Sequence, residues 1–128
     1  MFLADAATTR EGLAHVLGLG VSILGRAEFP ARAGVTAIAL AVFDREDESQ
    51  ELELVAELRS DTQPDEVVFR ADGVLGYDGS VDGDLGAVTP IILDMSVVEL
   101  PVAGIYRMSV RIGDETSEVE FKAIKSAD

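Results

Sequence analysis

The sequence predicts an all-β protein, a single antiparallel β-sandwich of immunoglobulin-like architecture with about seven to nine strands. Short runs in which apolar and polar residues alternate with a period of two are typical of strands that bury one face. Turn residues separate these runs at short intervals, as they do in sandwiches. The one segment that could form a helix, residues 2–24, contains glycines that each cost about 1 kcal/mol relative to Ala in a helix interior.

The opening segment predicts two short strands, at residues 2–7 and 13–17, with residues 8–12 as the turn between them. The run Gly18-Leu19-Gly20 indicates a kink or bulge, because glycine in a strand often marks a point where regular pairing is interrupted. A further strand follows at residues 21–24.

Residues 35–44 predict a central strand that is covered on both sides, because both of its faces are apolar. Within residues 37–42 one face carries large side chains and the other carries alanine, which fits where the space between layers is tight. The large residues are Ile38, Leu40 and Val42, and the alanines are Ala37, Ala39 and Ala41.

The alternation is clearest in residues 51–59, where four apolar residues face inward and Glu51, Glu53, Glu57 and Arg59 face outward. Residues 61–65 predict a turn, residues 67–71 a strand, and residues 73–86, with their five glycines, a loop. The four inward residues of the first strand are Leu52, Leu54, Ala56 and Leu58.

The final third of the chain predicts three strands. Residues 87–100 read as one bent strand that Pro90 interrupts, since proline cannot donate to a ladder. The last strand covers residues 118–123, with Val119 and Phe121 facing inward. Between them, a strand with Tyr106, Met108, Val110 and Ile112 on its inner face runs from a Pro/Gly turn to Gly113.

Tyr106 stands near the start of this strand, just after Pro101 and Gly104. A tyrosine in such a position often pins the crossing between the two sheets of a sandwich through its hydroxyl group. We therefore expect Tyr106 to be buried, with its hydroxyl hydrogen-bonded to nearby backbone.

Length and charge limit the classes of partner. The 128 residues fit one domain, spanning residues 1–128, and the 48% hydrophobic content favours a packed core. A formal net charge of -14 argues against nucleic acid and anionic membranes as partners, because both are bound by neutralising their negative charge. There is no cysteine for a disulfide or a thiolate metal site.

No targeting signal is evident. The apolar run at residues 13–24 lacks the basic start of a signal peptide, and no run reaches the roughly 18 to 20 apolar residues of a membrane span. These features predict a soluble cytoplasmic protein.

The sequence predicts no enzyme activity, no catalytic residues and no bound cofactor. His15 is the single histidine and has no acid or nucleophile placed beside it by any recognisable motif. The glycines at positions 18, 20 and 25 do not have the spacing of a dinucleotide-binding loop.

The sharpest candidate site is the acidic run at residues 78–84. Oxygen-bearing side chains occupy its first, third, fifth and seventh positions, and glycine occupies the sixth, as in the first half of a calcium-binding loop. Thr89 stands where such a loop places a bidentate Glu, and a solvated turn explains the same residues. The four candidate ligands are Asp78, Ser80, Asp82 and Asp84.

Three segments together resemble an uncharacterised family of small bacterial β-sandwich domains of unknown function. They are Leu3-Ala4-Asp5-Ala6-Ala7 with Gly12 and then Leu17-Gly18-Leu19-Gly20; Phe29-Pro30, which leads into residues 35–42; and Pro101-x-x-Gly104-x-Tyr106, which ends at Gly113. The resemblance implies a sandwich fold and supplies no active-site residues.

Three functional hypotheses remain open at this point. The first is a non-enzymatic binding or structural module whose partner is a protein, including a second copy, and which uses an exposed alanine face of the central strand or an unprotected edge strand. The second is a calcium-assisted binding domain that uses the loop at residues 78–84. The third is a structural component of a larger assembly, such as a virion or a secreted complex.

Overall fold

Twelve β-strands and no helix are present in the computed structural model, which describes residues 1–10, 13–43, 50–77 and 87–126. Since no helix occurs among these residues, none of them forms a helix able to cross a membrane. The strands are β1 (Phe2–Ala4), β2 (Ala6–Arg10), β3 (Leu13–Leu17), β4 (Ile23–Arg26), β5 (Ala31–Arg32), β6 (Thr36–Phe43), β7 (Gln50–Ser60), β8 (Gln63–Tyr77), β9 (Ala87–Asp94), β10 (Glu99–Leu100), β11 (Gly104–Ile112) and β12 (Glu115–Lys125).

The strands form two larger sheets and two small ones. A three-stranded sheet has the order β1-β6-β9, and a five-stranded sheet has the order β4-β12-β11-β7-β8. The pairs β2-β3 and β5-β10 make up the two small sheets. All of these pairs are antiparallel except β4 with β12, which is parallel.

One hydrophobic core lies between the two larger sheets. The five-stranded sheet contributes large buried side chains, among them Leu58, Met108 and Phe121, and the three-stranded sheet contributes Leu3 and Ala37. The predicted inward residues of β7, β11 and β12 therefore do face the core: Leu54, Ala56, Leu58, Tyr106, Met108, Val110 and Phe121 are buried, and Leu52, Ile112 and Val119 pack against the core from its margin.

The structure has more strands than the predicted seven to nine. The chain divides into short strands where it changes its pairing partner. The expected strand at residues 2–7 divides at Asp5, whose backbone N–H donates to the carbonyls of Leu17 and Gly18. The chain thereby leaves its pairing with β6 and begins the β2-β3 hairpin. Gly18 and Gly20, both with positive φ, end that hairpin as the sequence predicts.

Glycine and proline are tolerated in two strands where the sequence predicts turns or interruptions. Pro64, Gly73 and Gly76 all lie within β8, and Pro90 lies within β9. Both strands are at the edge of their sheet, where a residue that cannot donate to a ladder does little harm. Pairing with β7 along nearly its whole length holds β8 extended in spite of its low strand propensity.

The structure contradicts the hypothesis that β6 exposes its alanine face. The alanine face is buried against the other sheet, so it is not an exposed surface for self-association. The opposite face, predicted to be covered, leaves Leu40 52% and Val42 69% exposed, although Ile38 on the same face is buried. The small alanine side chains allow the five-stranded sheet to approach β6 closely. On the opposite face of β6, the side chains beyond Ile38 remain uncovered.

Tyr106 is fully buried, and its hydroxyl is tied to the backbone as predicted. The hydroxyl donates to the carbonyl oxygen of Val102 at 2.5 Å and accepts from the backbone N–H of the same residue at 3.2 Å. Its ring stacks on Phe121 at a centroid distance of 5.4 Å. These contacts join the turn before β11 to the core between the sheets.

Replacing Tyr106 with Phe is expected to lower the free energy of unfolding by about 1 kcal/mol, because both hydrogen bonds to Val102 are lost. Replacement with Ala also removes the ring and leaves a cavity, so we expect a loss of about 3 kcal/mol or more. Urea denaturation of the three proteins measures both values. Equal stability of wild type and Tyr106→Phe would show that the hydroxyl does not fix the turn.

Alkaline pH is expected to weaken this same contact. Burial raises the pKa of the Tyr106 hydroxyl, while its hydrogen bonds to Val102 and Ser60 act in the opposite direction. The unfolded chain, with a tyrosine pKa of about 10, then loses its proton first, so the contribution is complete below that pH and is lost as pH rises through the folded pKa. The stability difference between wild type and Tyr106→Phe should therefore shrink above about pH 10 in parallel denaturation series.

Candidate functional site

The middle strand of the three-stranded sheet is paired unequally on its two sides. β9 pairs with β6 along all of Thr36–Phe43, whereas β1 reaches only as far as Ile38. Within the part of the chain that the structure describes, residues 39–42 therefore have no strand partner on the β1 side. We call this stretch the free edge.

The free edge carries neither of the two side-chain features, charge and proline, that usually prevent an edge from pairing with another chain. Exposed edges are commonly guarded by charges, proline or a short length. β9 carries Pro90 and β8 carries Pro64, Asp65 and Glu66, whereas residues 39–42 are all alanine, leucine or valine. An extended segment could pair here without meeting a charged or proline side chain on β6.

A cleft of about 390 Å³ opens between the free edge and the turn that joins β11 to β12. Its volume is at the lower end of the range of about 300 to 1,000 Å³ that is usual for ligand pockets. The inner wall is apolar, and the far wall is formed by the β11–β12 turn and the start of β12. The lining residues include Ala39, Ala41, Phe43, Leu52, Val110 and Ile112 on the inner wall and Asp114, Glu115 and Ser117 on the far wall.

Two carboxylates lie at one end of this cleft. Asp114 and Glu115 are exposed, and neither has an ion-pair partner among the described residues. Gly113 sets their position: its φ of +57° favours glycine, and a Cβ there would lie 3.4 Å from a methyl carbon of Leu52. Phe43 also packs with Leu52, so the turn stands at the Phe43 end of the cleft.

An exposed apolar row borders the free edge on the outer face of the sheet. Leu40 and Val42 belong to β6, and Val88, the register partner of Val42 on β9, is also exposed. A strand added at the free edge would have its inward side chains in the cleft and its outward side chains next to Leu40 and Val42. Both faces of such a strand would find apolar neighbours.

Three arginines on the outer face of the five-stranded sheet form ion pairs with carboxylates. Glu57 accepts from Arg59 at 2.8 Å and from Arg70 at 2.7 Å, and Arg107 donates to Glu120 at 2.7 Å. Hydrogen bonding to Glu120 raises the pKa of Arg107, and hydrogen bonding to Asp72 raises that of Arg70. Because their charges are already neutralised, these three arginines are poorly placed to bind an anion.

The predicted calcium ligands cannot be placed by this structure. Asp78, Ser80, Asp82 and Asp84 all lie outside the described residues. Thr89, at the twelfth position of that pattern, lies in β9. In the ranges that the structure does describe, no three acidic or histidine side chains converge as a metal site would require.

His15 lies in β3, where it is exposed and faces Thr8 of β2 in the hairpin register. The sequence favours a structural role for this histidine. Its exposed position in a two-stranded hairpin shows that it is not part of the core.

A family model described as a family of unknown function (DUF6941) matches residues 1–122. The match confirms the resemblance to a domain family without an assigned function, and it specifies neither source nor fold. No curated protein and no solved structure matches the chain.

The free edge predicts a particular pattern of amide hydrogen exchange. Along an antiparallel strand, successive N–H groups point to opposite sides, so within residues 39–42 those that face β9 are bonded and those that face the cleft are not. We expect the cleft-facing amides to exchange at least about a hundredfold faster than their neighbours, since exchange there needs no opening of the sheet. Residue-resolved exchange by NMR tests this, with residues 36–38 as the internal control. Uniform protection along β6 would show that the edge is covered.

Proposed function

The chain belongs to the family of unknown function DUF6941, and for this member we propose a non-enzymatic role as a module that binds an extended segment of another protein along the free edge of β6. The unguarded edge beside a cleft whose inner wall is apolar is the observation that carries this proposal. Backbone hydrogen bonds to the edge supply affinity, and the cleft selects alternate side chains of the segment, as in other cases of strand addition.

A single immunoglobulin-like β-sandwich is the architecture we assign to this module. The two larger sheets share one core, and Tyr106 ties the turn before β11 to that core. Both features support a sandwich of this kind. The parallel pairing of β4 with β12 is then an addition at one edge of an otherwise antiparallel sheet.

Another protein is a better occupant of the cleft than a second copy of this chain. Two copies would each carry a formal net charge of -14, and their mutual repulsion opposes association. The same edge would also serve a subunit of a larger assembly, in which the neighbour supplies the strand. Sedimentation of the isolated protein separates these cases from self-association.

The proposal predicts binding of a short strand-forming peptide. The probe is an acetylated and amidated peptide of alternating Thr and Val with Lys at each end, and its control has the central Val replaced by Pro. We expect the Pro control to bind at least about fivefold more weakly, because proline removes a ladder donor and resists strand pairing. Fluorescence anisotropy of labelled peptides measures both affinities.

Variants of the protein locate the site. Ala39→Leu places a larger side chain where the cleft meets the buried alanine face, so it should weaken binding and also lower the melting temperature. Val42→Lys puts a charge beside the free edge and should weaken binding at least about fivefold. Val88→Lys makes the same charge change on the same face of the sheet, one strand away, and should have little effect.

Binding that is equal in wild type, Ala39→Leu and Val42→Lys would contradict the proposed site. A dimer in sedimentation that Val42→Lys abolishes would instead assign the edge to self-association.

A further inference from the structure

We infer that the bound segment runs antiparallel to β6 and carries basic side chains at its amino-terminal end. This inference rests on the proposed function and adds the direction and the chemistry of the partner. It follows from the orientation of the strands around β6 and from the uneven distribution of charge along the cleft.

The direction follows from the pairing of β6. Both of its neighbours, β1 and β9, are antiparallel to it, and the free edge continues the line along which β1 pairs. Antiparallel pairing is also slightly more stable per residue than parallel pairing. A strand added in this line begins near Phe43 and ends near Met1, which lines the other end of the cleft.

The two ends of the cleft differ in charge. Asp114 and Glu115 stand at the Phe43 end without an ion-pair partner among the described residues, whereas Met1 and Ser117 stand at the opposite end. Cationic side chains at the start of an antiparallel strand would therefore meet these carboxylates. The net charge of -14 also favours the approach of a basic segment over an acidic one.

The middle of the segment is apolar at alternate positions. Inward side chains would lie among Ala39, Ala41, Val110 and Ile112, and none of these offers a hydrogen-bonding side chain. A polar side chain directed at this inner wall would lose its bonds to water without replacement. The partner is thus a segment that begins with Lys or Arg and continues with alternating apolar residues.

Two peptides of identical composition test the direction. Both consist of alternating Thr and Val, acetylated and amidated, with two Lys residues either at the start or at the end. We expect the peptide with Lys at the start to bind about threefold to tenfold more tightly at low salt, as exposed charge pairs of this kind contribute modestly. The preference should fade near 1 M salt, where the screening length falls to about 3 Å.

Charge-removal variants test whether the cleft carboxylates are responsible. The double variant Asp114→Asn/Glu115→Gln should abolish the preference between the two peptides. The matched control Asp65→Asn/Glu66→Gln removes two exposed carboxylates of β8 that do not line the cleft, and it should keep the preference. Thermal melts confirm that both variants are folded.

Each outcome separates this inference from the function on which it rests. Equal affinity for the two peptides, with binding still weakened by Val42→Lys, would overturn the inference and leave strand addition standing. Tighter binding of the peptide with Lys at its end would indicate a parallel segment and also overturn it. Binding of both peptides that no edge or cleft variant changes would overturn the proposed function itself.

Discussion

The fold depends on the packing of the alanine face of β6 against large side chains of the five-stranded sheet. β6 presents Ala37 and other small residues to the interior, and the five-stranded sheet presents Leu58, Tyr106, Met108 and Phe121. Large side chains packed against small ones let two layers meet at close-packed density without voids. Since this contact fixes which face of β6 points inward, it also determines that Leu40 and Val42 point outward.

The candidate site follows from that contact together with the short length of β1. Three residues of β1 cover only the first part of an eight-residue strand, so residues 39–42 keep backbone groups on the β1 side that no described strand pairs. The same alanines that allow close packing leave room beside the open part of the strand. An edge and a cleft thus occur together because β6 carries the small side chains of Ala39 and Ala41 within residues 39–42, where no described strand pairs with it on the β1 side.

Local patterns in the sequence were sufficient to predict the buried residues of strands whose two faces differ in polarity. The alternation in β7 and β11 identified their buried residues, and Tyr106 was placed correctly because its position near the start of β11 implies a specific contact. Pro64, Pro90 and the glycines of β8 misled the prediction, since their local preferences are overridden by pairing with a long neighbour at a sheet edge. Which face of β6 is exposed could not be predicted, because both faces are apolar and the outcome depends on packing against strands that are distant in sequence. The cleft joins β6 to the β11–β12 turn, which is distant in sequence, and no local pattern reports such a juxtaposition.

The pairing of β4 with β12 has a consequence for the order of folding. Residues 23–26 pair only with residues 122–125 among the described strands, so β4 stays without a sheet neighbour until nearly the whole chain is available. Contacts between such distant segments carry a high entropic cost of closure and form slowly. During synthesis on the ribosome, β4 therefore emerges long before β12, the strand with which it pairs. Leu24, which is buried in the folded protein, therefore stays exposed during synthesis until β12 has been made.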